Sequence, residues 1–489
     1  MLLLGLDIGS SSVKAAVIDG DSGRLLASAF YPPRELEIIA QQPGWAEQHP
    51  DTWWDCVRAA VAGVLQHTEV AAIGAIGISY QMHGLVLVDK DQEVLRPAII
   101  WCDSRAVEIG RQAFEGIGPA RCLRHLLNSP GNFTASKLRW VREQEPALYE
   151  RIHKFMLPGD YIAMRLTGEI ATTVSGLSEG ILWDFEEERV AQLVLDQYGI
   201  DAGRVPDRVP TFGVQGQLTA QAAQALGLPA GIPVSYRAGD QPNNAFSLGV
   251  LEPGEVAATA GTSGVVYGVS AEVKHDPRSR VNTFAHVNHG PQPRLGILLC
   301  VNGTGILNSW LKHHTAGGLD YAEMNARAAT VPIGADGLRV LPFGNGAERL
   351  LDNRDPGATI AGLDFNRHGA GHLYRAAQEG IVFAFHYGME IMGELGLHPS
   401  VIRAGMANMF LSPIFRDTLA GLSGAPIELY NTDGAQGAAR GAGVGAGYYA
   451  DYAQAFGGLA VLTRVEPDTT HQQAYREAYA AWRALLPTD

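Results

Sequence analysis

Two segments of this chain repeat one pattern: Gly5-Leu6-Asp7-Ile8-Gly9-Ser10-Ser11-Ser12-Val13-Lys14 at the start, and Ala258-Thr259-Ala260-Gly261-Thr262-Ser263-Gly264-Val265-Val266-Tyr267 past the midpoint. In each, an apolar β-rich run enters a turn of glycine and hydroxyl residues and leaves as a second β-rich run. A hairpin of this kind can present backbone N–H groups and hydroxyls to a phosphate chain. Either turn alone serves equally well as the end of a strand. Two of them, one in each half of a 489-residue chain, constrain the fold further. They predict two related lobes closing on one nucleotide.

Such a length exceeds a single ordinary core, and 46% hydrophobic residues suffice to fill two. Fifty-one acidic against 37 basic side chains leave a net charge of −14, which argues against a general nucleic-acid or anionic-membrane binder and makes any phosphate site local. Cys56, Cys102, Cys122 and Cys300 lack metal-ligand spacing and read as buried, reduced thiols. Met1 to Leu4 lead straight into the first strand pattern, and no apolar run approaches the ~18 residues of a membrane span. The expectation is a globular, cytoplasmic protein.

Along the chain, residues 2 to 8, 13 to 18 and 24 to 30 read as a β-meander, residues 51 to 66 as a helix, and Ile73 to Ile78 as a further strand. Leu85 to Val88 and Ala98 to Trp101 read as a hairpin, followed by a helical insertion from about 105 to 165 and a helix over 219 to 227. The Gly227-Leu228-Pro229-Ala230-Gly231 segment reads as a linker, dividing the chain into lobes 1–231 and 232–489. In the second lobe the meander is expected to restart at Pro233 to Tyr236 and to continue through Val256 to Thr259 and Gly264 to Val269. Residues 373 to 394 predict a long buried helix, 401 to 404 a strand, 409 to 420 a helix and 427 to 430 a strand. The Gly- and Ala-rich run from Asp433 to Tyr449 predicts a helix packed unusually close to its neighbours.

Asp7 ends the first strand beside the glycine turn, where a carboxylate can hold hydrated magnesium near nucleotide phosphates or bond its own turn. Lys14 is placed to reach a phosphate or to lie solvated on its strand. Asp240, in Arg237-Ala238-Gly239-Asp240-Gln241, is expected to hold in the second lobe the place Asp7 holds in the first, so that a metal carboxylate and a base carboxylate face each other from opposite walls. Gln81-Met82-His83-Gly84 ends the Ile73 strand with amide and imidazole groups suited to a polyhydroxylated ligand, although a histidine there also serves structure alone. Trp101-Cys102-Asp103-Ser104-Arg105 supplies either a wall for the same ligand or an internal Asp103 to Arg105 pair.

These motifs, with Pro43-Gly44-Trp45-Ala46-Glu47-Gln48, Phe133-Thr134-Ala135-Ser136-Lys137-Leu138-Arg139-Trp140, Gly362-Leu363 and His372-Leu373, resemble in their order the FGGY family of carbohydrate kinases, and within it the xylulokinases. The resemblance runs from Leu4 to about Tyr449. It implies an α/β, two-lobed actin/hexokinase/Hsp70-like (ribonuclease H-like) fold with the active site in the interdomain cleft, a sugar-binding N-terminal lobe and a nucleotide-binding C-terminal lobe. It further implies ATP and magnesium as cofactors for phosphorylation of a ketose, D-xylulose to D-xylulose 5-phosphate. By that resemblance Asp240 is the base and, with Asp7, a metal ligand. Gln81, Met82, His83, Trp101, Asp240 and Gln241 meet the sugar. Gly9, Ser10, Ser11, Ser12, Lys14, Gly261, Thr262, Ser263, Gly405, Met406 and Asn408 meet the nucleotide. The partners implied are a small sugar and ATP, with neither nucleic acid nor membrane, and homodimer formation left open.

Three positions depart from the family pattern. Gln241 follows the base where Asn is usual in xylulokinases, as in a glycerol-kinase-like Gly-Asp-Gln. The adenine loop reads Ala404-Gly405-Met406-Ala407-Asn408, placing a Met where backbone is expected to lie flat against a purine. Leu350-Leu351 follow Gly346-Ala347-Glu348-Arg349 where Thr-Pro is common. A kinase for glycerol, a tetritol or ribulose, and a catalytically silent nucleotide-dependent regulatory protein, stand as the alternatives.

Overall fold

The computed structural model describes residues 1–487. The apolar run Leu2–Ile8 forms the first strand, flanked by antiparallel Val13–Asp19 on one side and parallel Ile73–Tyr80 on the other. The full sheet has the order Phe212–Gln217, Pro233–Gly239, Ile73–Tyr80, Leu2–Ile8, Val13–Asp19, Leu25–Tyr31. A second sheet repeats it as Val461–Val465, Ile427–Tyr430, Val401–Gly405, Glu255–Ala260, Gly264–Ser270, Leu295–Val301, and adds Asn282–Ala285 at the far edge. In both sheets three central strands run parallel and the meander continues antiparallel. The pair of turns therefore does mark a structural repeat.

The repeat begins later than the linker signal suggests. Pro233–Gly239 pairs in parallel with Ile73–Tyr80 and so belongs to the first sheet, which a boundary at residue 231 would cut. Gly227 ends the helix Ala220–Leu226 at φ +70, and the chain turns straight back, with Leu218 N–H bonded to Ile232 O and Gly231 N–H to Leu218 O. Gly and Pro here stop a helix and tighten a return. They join two elements of one lobe, and the second meander starts at Glu255.

The expected hairpin of residues 85 to 101 also differs. Val86–Val88 pairs with Lys154–Met156 and Ala98–Ile99 with Glu47–Gln48, and the isolated bridge Leu85↔Ile99 joins the two segments. The insertion is helical as predicted, with Val107–Ile117, Pro119–Leu126, Thr134–Gln144 and Pro158–Thr167 among its elements. The helix expected over 409 to 420 starts at Pro413 and ends at Ser423. Of the four thiols, all free, Cys56 and Cys122 are buried as predicted, whereas Cys102 and Cys300 are exposed.

Each sheet sends a helix out of its last parallel strand. Asp240–Ser247 follows Pro233–Gly239, Gly434–Gly445 follows Ile427–Tyr430, and the two helices cross and pack together. The second helix lies on the first sheet, and glycines permit that approach: a Cβ on Gly5 would come within 1.8 Å of Ala435 O, and one on its register partner Gly77 within 2.0 Å of Ala438 O. The close packing predicted for this Gly- and Ala-rich run is what the structure shows.

Each lobe has its own apolar core, and a third cluster joins them, in which Leu87 of the first lobe and Phe133 and Leu138 of its insertion pack with Ala257, Tyr267 and Phe284 of the second lobe. On the same side, Asn128 Oδ1 accepts from Thr283 N–H at 3.1 Å and Ser178 Oγ from Ala285 N–H at 2.9 Å. The insertion thus covers the edge strand Asn282–Ala285. Among the described residues, no helix is long and apolar enough to cross a membrane.

Candidate active site

Ile8, Tyr80 and Gly239 stand in register at the ends of three adjacent parallel strands, so the residues that follow them, Gly9, Gln81 and Asp240, collect along one edge. The carboxyl edge of a parallel sheet is where ligands of α/β folds bind. Asp7 lies one position before that edge. Asp7 and Asp240 therefore share the first sheet, two strands apart, instead of facing each other from opposite walls. The topological counterpart of Asp7 is Thr259, and that of Asp240 is the segment leading into the second crossing helix. Assigning Pro233–Gly239 to the wrong sheet is what misplaced Asp240.

That second helix brings in a carboxylate the sequence reading passed over. Asp433 Oδ1 caps the helix by accepting from Gln436 N–H at 2.9 Å, and its Oδ2 accepts from Lys14 Nζ at 2.6 Å. A strand end of one lobe is so tied to the first hairpin of the other. Burial alone would raise Asp433, but Lys14 holds its carboxyl below the usual range. Asp7 is raised by burial, with the neighbouring Asp433 charge adding to it. Asp240 is pushed up to about 7, first by burial and then by the charge of Asp7, while Gln241 on the same helical turn pulls the other way.

Concentrated negative charge of this kind fits a divalent cation. Among the described residues no three His, Cys, Asp or Glu side chains form a ligand cage. Magnesium needs none, since it keeps most of its waters and takes one or two carboxylates together with substrate phosphates. Asp7 and Asp240 are the residues that would hold it here.

At the same edge, Met82 is buried against Gly239, and His83 sits at φ +61 with its ring edge-on to Phe133 at 4.6 Å. His83 Nδ1 lies 2.9 Å from Glu179 O. A carbonyl only accepts, so Nδ1 carries the proton. Burial drives the imidazole down to about 3, leaving it neutral with Nε2 as an acceptor. Gln81 N–H bonds Ile8 O at 2.8 Å, and the half-exposed Trp101 donates its indole N–H to Ser10 Oγ at 3.2 Å. Asp103 resolves the other way: it pairs with Arg105, whose guanidinium packs on the rings of Trp45 and Trp140 at 3.8 and 4.7 Å.

The second hairpin turn ends the corresponding strand of the other sheet. Gly261 O and Thr262 O accept from the Gly305 and Ile306 N–H groups at 2.8 and 3.1 Å, which fixes Gly261-Thr262-Ser263 against the helix Gly305–Thr315. Gly405 ends its strand in open space, Met406 N–H bonds Tyr430 O at 2.9 Å, and Asn408 adopts φ +53 near Gly261. The Met406 side chain packs on the second-lobe core beneath that turn. Glu348 is buried and accepts from Asn302 and Gly303 N–H groups, a structural use of the Gly346–Arg349 motif, while Arg349 bonds Asn282.

The N-terminal domain profile of the FGGY carbohydrate kinases matches residues 2–247, and the C-terminal domain profile matches residues 256–450. This chain belongs to the FGGY family of carbohydrate kinases. Among relatives of this FGGY kinase, the xylulose kinase of Klebsiella pneumoniae is 31% identical over 450 residues, covering 90% of this chain and 88% of that protein. The crystal structure of xylulose kinase from Rhodospirillum rubrum superposes with a TM-score of 0.89 at 29% identity, over 99% of this chain and 98% of that one. The gluconate kinase from Lactobacillus acidophilus also reaches a TM-score of 0.89, at 21% identity over 99% and 97% of the two chains, and so shares the fold alone. This FGGY chain is a carbohydrate kinase that phosphorylates a sugar with ATP.

Reading the FGGY sequence residue by residue missed Asp433, Lys137 and Glu179 as neighbours of the site. Asp433 had a signal, an Asp immediately before a helical run. Glu179 is buried, and both its carboxyl oxygens lack a hydrogen-bond partner of good geometry. Burial pushes its carboxyl far above the usual range, and nothing in the local sequence marks it.

Proposed function

We propose that this kinase transfers the γ-phosphoryl group of ATP to a ketose hydroxyl, with D-xylulose as substrate, D-xylulose 5-phosphate as product and magnesium accompanying the nucleotide. The observation that carries this reading is the convergence at one sheet edge of Asp240, with its carboxyl near 7, and a neutral His83 whose Nε2 accepts. In the reading, His83 Nε2 and the amide of Gln81 orient an uncharged polyol, Met82 and Trp101 flank it, and Gln241 steadies the base. The sugar oxygen attacks the γ-phosphorus, the bond to the ADP oxygen breaks, and Asp240 takes the hydroxyl proton. The backbone of Gly9 to Ser12 and of Gly261 to Ser263, with Lys14, lines the phosphates, and the Gly405 to Asn408 turn lies beside the base. Magnesium, held by Asp7 and Asp240, would offset the negative charge of the transferring group.

The names of the relatives support a ketose over other acceptors, and the gluconate kinase of equal fold similarity shows that architecture alone does not choose one. The test is ADP formation from ATP across D-xylulose, D-ribulose, glycerol, tetritols and gluconate. D-xylulose is expected to give the highest kcat/KM. A polyol or gluconate at the head of the series overturns the ketose assignment, and no turnover with any acceptor favours the regulatory alternative.

A further inference from the structure

Lys137 is wholly buried, and it is the only lysine among the described residues in that class. It stands on the Thr134–Gln144 helix of the insertion, and its ammonium donates to His83 O at 2.8 Å and to Ile100 O at 3.0 Å. No carboxylate pairs with it: the nearby Asp103 is taken up by Arg105. An ammonium held inside a protein by two neutral carbonyls is costly. Burial accordingly pulls it down to about 7. What the structure gains is the relative placement of two segments.

His83 O belongs to the peptide that leaves the left-handed His83, a conformation unfavourable for a side chain of this size. Ile100 O belongs to the peptide that enters Trp101, whose indole N–H bonds Ser10 in the first phosphate turn. One buried side chain so ties together two backbone segments, 54 residues away along the chain on one side and 37 on the other. The His83 ring is then set from both ends, by Lys137 through its carbonyl and by Glu179 O through Nδ1.

We propose that Lys137 is a positioning residue for the acceptor sugar, holding His83 and Trp101 at the spacing that the sugar bridges. The inference rests on the reading of His83 as a sugar-binding residue. It predicts an effect mainly on the sugar, because Lys137 itself touches neither phosphate turn and reaches Ser10 only through Trp101.

The test is a double-mutant cycle on the full-length enzyme, reading KM for the preferred sugar and for ATP in Lys137→Met, His83→Gln and the combined variant. Lys137→Met is expected to raise the sugar KM about tenfold or more, with the ATP KM within about twofold, the size of effect that a lost positioning contact gives. Because one of the two contacts of Lys137 is made to His83, the combined variant should lose less than the product of the two single losses, whereas independent sites would multiply fully. A sugar KM unchanged in Lys137→Met, or fully multiplicative losses, overturns the positioning role. A sugar KM unchanged in His83→Gln overturns the sugar-site reading itself. Should Lys137→Met not fold, the unaltered protein decides. At a pH well below 7, where Lys137 is charged, its ¹⁵N-labelled lysine spectrum should show one slowly exchanging ammonium signal that moves on adding sugar and stays in place with a non-hydrolysable ATP analogue. A signal indifferent to sugar counts against the proposal.

Discussion

Among individual residues, Asp240 carries the heaviest expectation. Asp240→Asn keeps size and hydrogen bonding but cannot take a proton, so kcat should fall by ~10²- to 10⁴-fold with the affinity for magnesium-ATP nearly unchanged. Asp7→Asn should weaken both turnover and magnesium-ATP binding, and steady-state rates beside a magnesium-ATP titration separate the two. A base is active when deprotonated, so kcat/KM for the sugar should rise with pH through an acid limb that lies below the 7 of metal-free Asp240 once magnesium offsets the charge of Asp7. The same shift has a stability side. A carboxyl raised in the fold favours the protonated form, so its contribution is present below the unfolded value of ~3.9 and is lost as pH rises through about 7. Without nucleotide, the Tm of the unaltered protein should therefore fall relative to Asp240→Asn across that window. The place of Asp7, Asp240 and His83 at strand ends was legible in the sequence because an apolar run meets a turn or a helix start at each, although the sheet to which Asp240 belongs was not. Asp433, Lys137 and Glu179 were much less so, because their proximity to the site depends on long-range packing that no local spacing encodes.

Elements were legible where a hydrophobic period ran unbroken. The strands Leu2–Ile8 and Ile73–Tyr80 and the helix Ala370–Glu394 lie close to where the pattern put them. Partnership was harder to read: Pro233–Gly239 looks like the opening of a new meander because a strand's own residues do not say which sheet it joins. Val86–Val88 likewise pairs with a strand far along the chain, since its neighbour Ala98–Ile99 is claimed by Glu47–Gln48. The helix Gly434–Gly445 offers the sharpest test at this scale. Gly5→Ala pushes a methyl into the Ala435 carbonyl, and both partners are backbone, so neither can turn aside. The variant should lose at least about 1–3 kcal/mol, as overpacked cores do, seen as a lower Cm in urea. It should also weaken magnesium-ATP binding, because the helix carries Asp433 and Gly434, the latter packed on Asp7. A loss of stability with unaltered nucleotide affinity would separate the helix from the site.

For the whole molecule, the two lobes are joined on one side by the third apolar cluster and the bonds from Asn128 and Ser178 to the edge strand, so relative motion should pivot there. Sugar with a non-hydrolysable ATP analogue should reduce the radius of gyration in solution scattering, and an unchanged radius would oppose closure. The two-lobed plan itself was legible from the paired turns, whereas the seam between the lobes was not, because the chain passes between them more than once. That threading bears on how the protein is made. Residues 434 to 445 cover the face of a sheet whose strands lie between residues 2 and 239, so a nascent chain that has just completed its first half holds Leu3, Ile18 and Ala75 uncovered. Roughly two hundred further residues must leave the ribosome before that face is closed, which at ~5–20 residues per second takes on the order of ten to forty seconds. The first half expressed alone should thus aggregate or remain bound to chaperones, and supplying the second half in trans should rescue it.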